Sequence, residues 1–138
     1  ALYAYNRPNS VRPATTAVGL LCRMYLGWQP RSPGLLRGMK YLSDWGPNPY
    51  DIYYNYYATQ AMHNWGGESW KRWNKINREQ LVGAQSKVDE SAGSWGPDES
   101  HGVHMGGRLY VTCMSIMTLE VYYRYLPIYQ REQMTENF

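Results

Sequence analysis

Three groups of side chains in this chain have the types and spacing to do chemistry. The first is "DESHGVH", Asp98 to His104, in which His101 and His104 stand three apart beside Asp98 and Glu99. Imidazole and carboxylate groups so placed could turn two ligands toward one zinc ion. The segment has no third anchored ligand, and two histidines in a glycine-rich loop are also ordinary solvated side chains. No metal is therefore assigned, and His101 and His104 are read as candidate ligand contacts. The second group is a stripe recurring in three apolar runs: Arg12, Thr16 and Gly19; Tyr53, Tyr57 and Gln60; Arg108, Thr112 and Ser115. The spacing i, i+4, i+7 puts each trio on one helix face. Such a face either lines a cavity or packs closely against another helix, with hydroxyls bonded back to helix carbonyls. The residues alone leave both open; on the first reading Tyr53, Tyr57, Gln60, Arg108 and Thr112 contact a ligand. The third is His63, which has no acidic partner spaced to orient it and reads as a helix-end histidine, not a general base. With no phosphate-cradling glycine loop after a strand and no serine nucleophile elbow, no catalytic residue is assigned.

Five helical runs position these groups, at about 15–26, 32–45, 53–65, 68–85 and 107–126. Gly27 closes the first, Ser32 and Pro33 open the second, and Gly46-Pro47 stops it. Gly66-Gly67 closes the third, and Pro127 is expected to end the fifth. Glu120 and Arg124 are spaced to pair. The second run is amphipathic, with Leu35, Leu36, Met39 and Leu42 opposite Arg37 and Lys40. So is the fourth, with Trp70, Trp73, Ile76 and Leu81 opposite Lys71, Lys75, Arg78 and Glu79. The first, third and fifth are apolar nearly all round, which predicts burial on all sides. The order buried, amphipathic, buried, amphipathic, buried predicts an all-α fold of helical hairpins, with inner helices alternating with outer ones in a single domain over 1–138.

Composition supports one globular domain and little else. Tyrosine is frequent, with 14 residues against one Phe. A ring that carries a hydroxyl suits half-buried positions around a wet cavity or groove. The net charge of +3 is mild, and "WKRWNKINR" reads as the solvated face of a helix, so no nucleic-acid partner is expected. Cys22 and Cys113 sit in apolar runs and are expected as small buried hydrophobes without a disulfide. No stretch is long enough to span a membrane. The chain has no initiator Met and opens directly on aromatic residues, which predicts a piece of a longer protein.

The chain also repeats itself. "SDWGP" from Ser43 and "GSWGP" from Gly93 each precede a buried run, so Trp45 and Trp95 mark the exit from an outer helix. Setting Thr16 on Thr112 aligns the first and fifth runs, Gly19 on Ser115 and Arg12 on Arg108. The middle copy fits with Tyr57 at the Thr position. The steps suit a helical-hairpin repeat with variable loops.

With "RGMKY" (Arg37–Tyr41), "LVGAQ" (Leu81–Gln85) and "GSW" (Gly93–Trp95), the chain resembles the prenyltransferase and squalene-cyclase repeat family. These match the front and back halves of its glutamine–tryptophan repeat, although no single copy is complete and the spacer before Gly93 is long. The resemblance implies a partial α/α toroid, the C-terminal part of a larger one, with Gln85, Trp45 and Trp95 as structural repeat residues. It implies an apolar, isoprenoid or peptide ligand in an aromatic-lined concave face. The family's chemical signatures are missing: no Asp-x-Asp-Asp, no Asp-x-Cys and no Cys-Gly-Glu-Gln occurs. The expected function is therefore ligand binding, with no recognisable catalytic motif and no cofactor assigned in this chain. The alternatives are an enzyme whose acidic motif lies outside it, or a structural interaction module. An open half-toroid exposes apolar surface, which predicts association with itself or with the rest of its toroid.

Overall fold

The computed structural model describes residues 1–97 and 102–129, which form six α-helices and no strand. They are α1 (Pro13–Tyr25), α2 (Pro33–Trp45), α3 (Ile52–Trp65), α4 (Gly67–Ala84), α5 (Val103–Leu119) and α6 (Val121–Arg124). Helix α3 is the centre and packs on all the others. Helices α1 and α5 flank it, α2 lies against α1 and α3, and α4 lies against α3 and α5. The chain thus builds two staggered rows, α1–α3–α5 and α2–α4; of the three runs expected to be buried on all sides only α3 is, since Cys22 and Tyr25 of α1 are exposed.

Proline and glycine set most helix ends. Pro13 and Pro33 occupy first turns, where a missing N–H costs nothing. Gly27 takes a φ of 83° past the end of α1, and Gly46 a φ of 77° past the end of α2. Ser32 makes no side-chain cap bond. Asp51 does the capping at α3, accepting from the Tyr54 N–H at 2.9 Å.

Leu20, Leu21 and Met24 of α1 meet Leu35, Met39 and Leu42 of α2 and Tyr54, Ala58 and Met62 of α3 in the larger core. Each such side chain contributes roughly 1.5–3 kcal/mol by leaving water. Gly38 lets α1 and α2 close up, since a Cβ there would lie 2.5 Å from Leu20 Cδ2. The smaller core holds Ile52, Leu81, Trp95, Val111 and Met114, between α3, α4 and α5.

The structure corrects several expectations. The fifth run begins at Val103, kinks at Gly107, where φ is 50° and ψ −141°, and breaks at Glu120. Its helical part ends at Arg124, three residues before Pro127; the Glu120–Arg124 pair does form, at 3.4 Å. This run is not buried all round: Met105 is 95% and Leu109 75% exposed. Among the described residues, no helix covers that side of it. Cys22 and Cys113 are exposed and unbonded to each other, contrary to their apolar surroundings in sequence. Leu36 and Ile76 also face solvent.

Candidate functional site

One hydrogen-bonding device recurs in all three helices of the α1–α3–α5 row. Thr16 Oγ1 accepts from the Tyr3 N–H at 3.0 Å and donates to the Tyr3 carbonyl at 3.3 Å. Thr112 Oγ1 accepts from the Trp95 N–H at 3.1 Å and donates to its carbonyl at 3.5 Å. In α3 the same work is done by Asn55, whose Oδ1 accepts from the Asn48 N–H at 2.9 Å and whose Nδ2 donates to its carbonyl at 2.6 Å. Each helix therefore clasps both backbone groups of one residue in the segment before it. The clasp pairs the N–H of each residue, and its carbonyl alongside other donors in two copies: Tyr3 also accepts from Arg12 N–H and Thr15 Oγ1, and Asn48 from Asp51 N–H. It matches the alignment of Thr16 with Thr112. It corrects the middle copy, where Asn55 and not Tyr57 is the equivalent.

The candidate stripes consequently separate. Arg12 is exposed, and Gly19 lies beneath the Tyr3 ring, where a Cβ would sit 2.6 Å from Cδ2. Thr112 is engaged with Trp95, and exposed Arg108 donates from Nη1 to Ser94 Oγ at 3.1 Å. These two face the 94–95 segment. Tyr53, Tyr57 and Gln60 instead share a face of α3 with Tyr56, a residue the stripe reading passed over although it falls at i+3 from Tyr53. The rings meet edge to face: Tyr53 and Tyr57 at 4.9 Å, Tyr56 and Tyr57 at 5.1 Å between centroids. All three tyrosines are half-buried, and Gln60 is buried with Nε2 donating to the Tyr56 carbonyl at 3.5 Å.

Helices α1 and α5 border this face. Tyr57 packs on the larger core and lies within electrostatic range of Cys22, while Tyr56 is within range of Tyr125 and Tyr25. Tyr53 and Tyr56 pack on the smaller core beside Tyr110 and Met117. Burial first, and then neighbouring phenols, raise Tyr56 and Tyr57 above the ordinary tyrosine range. At neutral pH Tyr56 and Tyr57 therefore keep their phenolic protons, and the face can stack and hydrogen-bond.

The remaining candidates lie apart from it. His104 is exposed in the first turn of α5, and His101 falls outside the described residues with Asp98 and Glu99. No group of three or more metal-ligating side chains occurs among the described residues. His63 is buried edge-on to Trp70, 4.9 Å between centroids, and burial lowers its pKa. Gln85 Nε2 donates to the Gly93 carbonyl at 2.9 Å, and Trp95 Nε1 to the Leu81 carbonyl at 2.7 Å. Together they fasten the end of α4 to the segment after it. Trp45 is exposed.

No protein family, characterised protein or solved structure matches the chain. Among the described residues, no helix is long and apolar enough to cross a membrane.

Proposed function

We propose that the chain is a helical-hairpin repeat domain similar to the prenyltransferase and squalene-cyclase toroids. On this reading it binds an apolar or extended ligand across the α1–α3–α5 row. One observation carries the proposal: Tyr53, Tyr56 and Tyr57 form a contiguous aromatic strip at the middle of that row, left half-open between α1 and α5. Rings of this kind give a large contact area at little entropic cost, while their hydroxyls fix orientation. The two-row packing and the bonds of Gln85 and Trp95 support the family likeness. Exposed Tyr25, Leu26, Leu109 and Tyr123 support association of the chain with a second copy or with further hairpins.

A second reading, a purely structural module, is favoured by the clasps, because Thr16 and Thr112 are spent on backbone. Titration of farnesol, followed by tryptophan fluorescence, separates the two. Ligand binding predicts saturable micromolar affinity that Tyr57→Ala and Gln60→Ala weaken about tenfold, the effect of roughly 1.4 kcal/mol. Unchanged binding in variants that still fold would leave the tyrosines as packing alone.

A further inference from the structure

Helix α4 starts without a side-chain cap, after two glycines at positive φ, Gly66 at 75° and Gly67 at 62°. The first of its N–H groups to find a carbonyl is that of Trp70, bonded to Gly66 at 3.3 Å. The N–H groups of Gly67, Glu68 and Ser69 have no partner among the described residues. They stand at the positive end of an 18-residue helix. Beside that end lies a cleft of about 430 Å³, walled by Gly67, Trp70 and Lys71 of α4, His63 of α3, and Tyr125 and Leu126 after α6.

His63 is the second observation. It is only 7% exposed, and its ring has no hydrogen-bond partner. Its nitrogens are nonetheless not among the polar atoms closed to solvent, and the ring lines this cleft. Burial keeps it neutral at pH 7, with one N–H to donate. Lys71, the cation in the wall among the described residues, is already bonded to Glu68 at 2.5 Å.

We propose that this cleft binds a small aromatic acid, its carboxylate held by the first-turn N–H groups of α4 and by His63, its ring against Trp70, Tyr125 and Leu126. Amide donors at a helix start and a neutral imidazole suit a single negative charge; a dianion would call for a free cation. The volume falls within the roughly 300–1,000 Å³ of small-molecule pockets. His63 stands about two turns along α3 from Tyr56, and this site does not rest on the ligand proposed for the tyrosine face.

The probe is benzoate, titrated into the ¹⁵N-labelled chain. The expected result is saturable movement of the Gly67, Glu68 and Ser69 amides, the Trp70 indole N–H and the His63 ring nitrogens, unaltered in Tyr57→Ala. Benzamide, which lacks the charge, and acetate, which lacks the ring, should each bind at least about tenfold more weakly. His63→Phe keeps a ring without the donor and should weaken benzoate by about fivefold or more. Glu68→Gln removes a carboxylate that competes for the same helix end and should tighten benzoate by about two- to fivefold. Glu68 is exposed, so this variant keeps the fold and decides the matter even where His63→Phe does not fold. Amides at the start of α4 that stay still, movement confined to the tyrosine face, benzamide binding as tightly as benzoate, or Glu68→Gln failing to tighten it would overturn the proposal.

Discussion

The segments Trp45-Gly46-Pro47 and Trp95-Gly96-Pro97 share three letters and almost none of their work. Trp45 is the last residue of α2, 56% exposed, with its ring tilted on Tyr41 at 6.0 Å. Its neighbour Gly46 does more, turning the chain at positive φ and offering its carbonyl to the Tyr54 hydroxyl at 2.9 Å. Trp95 is 5% exposed, and lies well beyond the end of α4. Its indole binds the α4 carbonyl of Leu81, and its backbone is held by Thr112. By hydrogen bonding, the partner of Trp95 in the earlier copy is Asn48, not Trp45. In this molecule structural equivalence follows which backbone groups are clasped, and the matching triplet only marks the neighbourhood.

Alanine at the two tryptophans sharpens this contrast most. Trp95→Ala should cost about 3–5 kcal/mol, since it empties a buried site and strands a carbonyl. Trp45→Ala should cost less than about 1 kcal/mol. Urea denaturation measures both, and equal losses would break the comparison. The glycines should reverse the order at smaller scale. Gly46 holds φ 77° and ψ 177°, a region essentially reserved for glycine, so Gly46→Ala should cost about 1–2 kcal/mol. Gly96 has no such φ, and a Cβ there would meet only Arg108 Nη2, at 3.8 Å. Gly96→Ala should stay within about 0.5 kcal/mol, read from the same urea midpoints.

Much of the scaffold is legible in the sequence because it is local. Pro13, Pro33, Gly27, Gly46 and Gly66 bound helices through backbone geometry that needs no neighbours. The two-row order follows from which runs are apolar all round, and Thr16 aligns with Thr112 because both copies use the same side chain. The failures are cases where a distant partner decides. Leu109 lies in a run expected to be buried all round, yet it is exposed on α5. Cys22 sits in an apolar run but is exposed. Asn55 does a threonine's task with an amide, so matching by residue type chose Tyr57 instead. Of the candidate ligand contacts, Tyr53, Tyr57 and Gln60 do share a face with Tyr56. Arg108 and Thr112 are directed elsewhere, because the segment that occupies them lies outside their own helix and carries no periodic signal.

The central claim is that α1, α3 and α5 are three copies of one unit, each clasping a single residue before it. Amide hydrogen exchange of Tyr3, Asn48 and Trp95, followed by NMR in the wild type and in Thr16→Val and Thr112→Val, tests it directly. The account predicts all three amides protected. Thr16→Val should release Tyr3 alone by at least about tenfold, and Thr112→Val should release Trp95 alone. Fast exchange of these amides in the wild type, or loss of protection at all three in either variant, would contradict it.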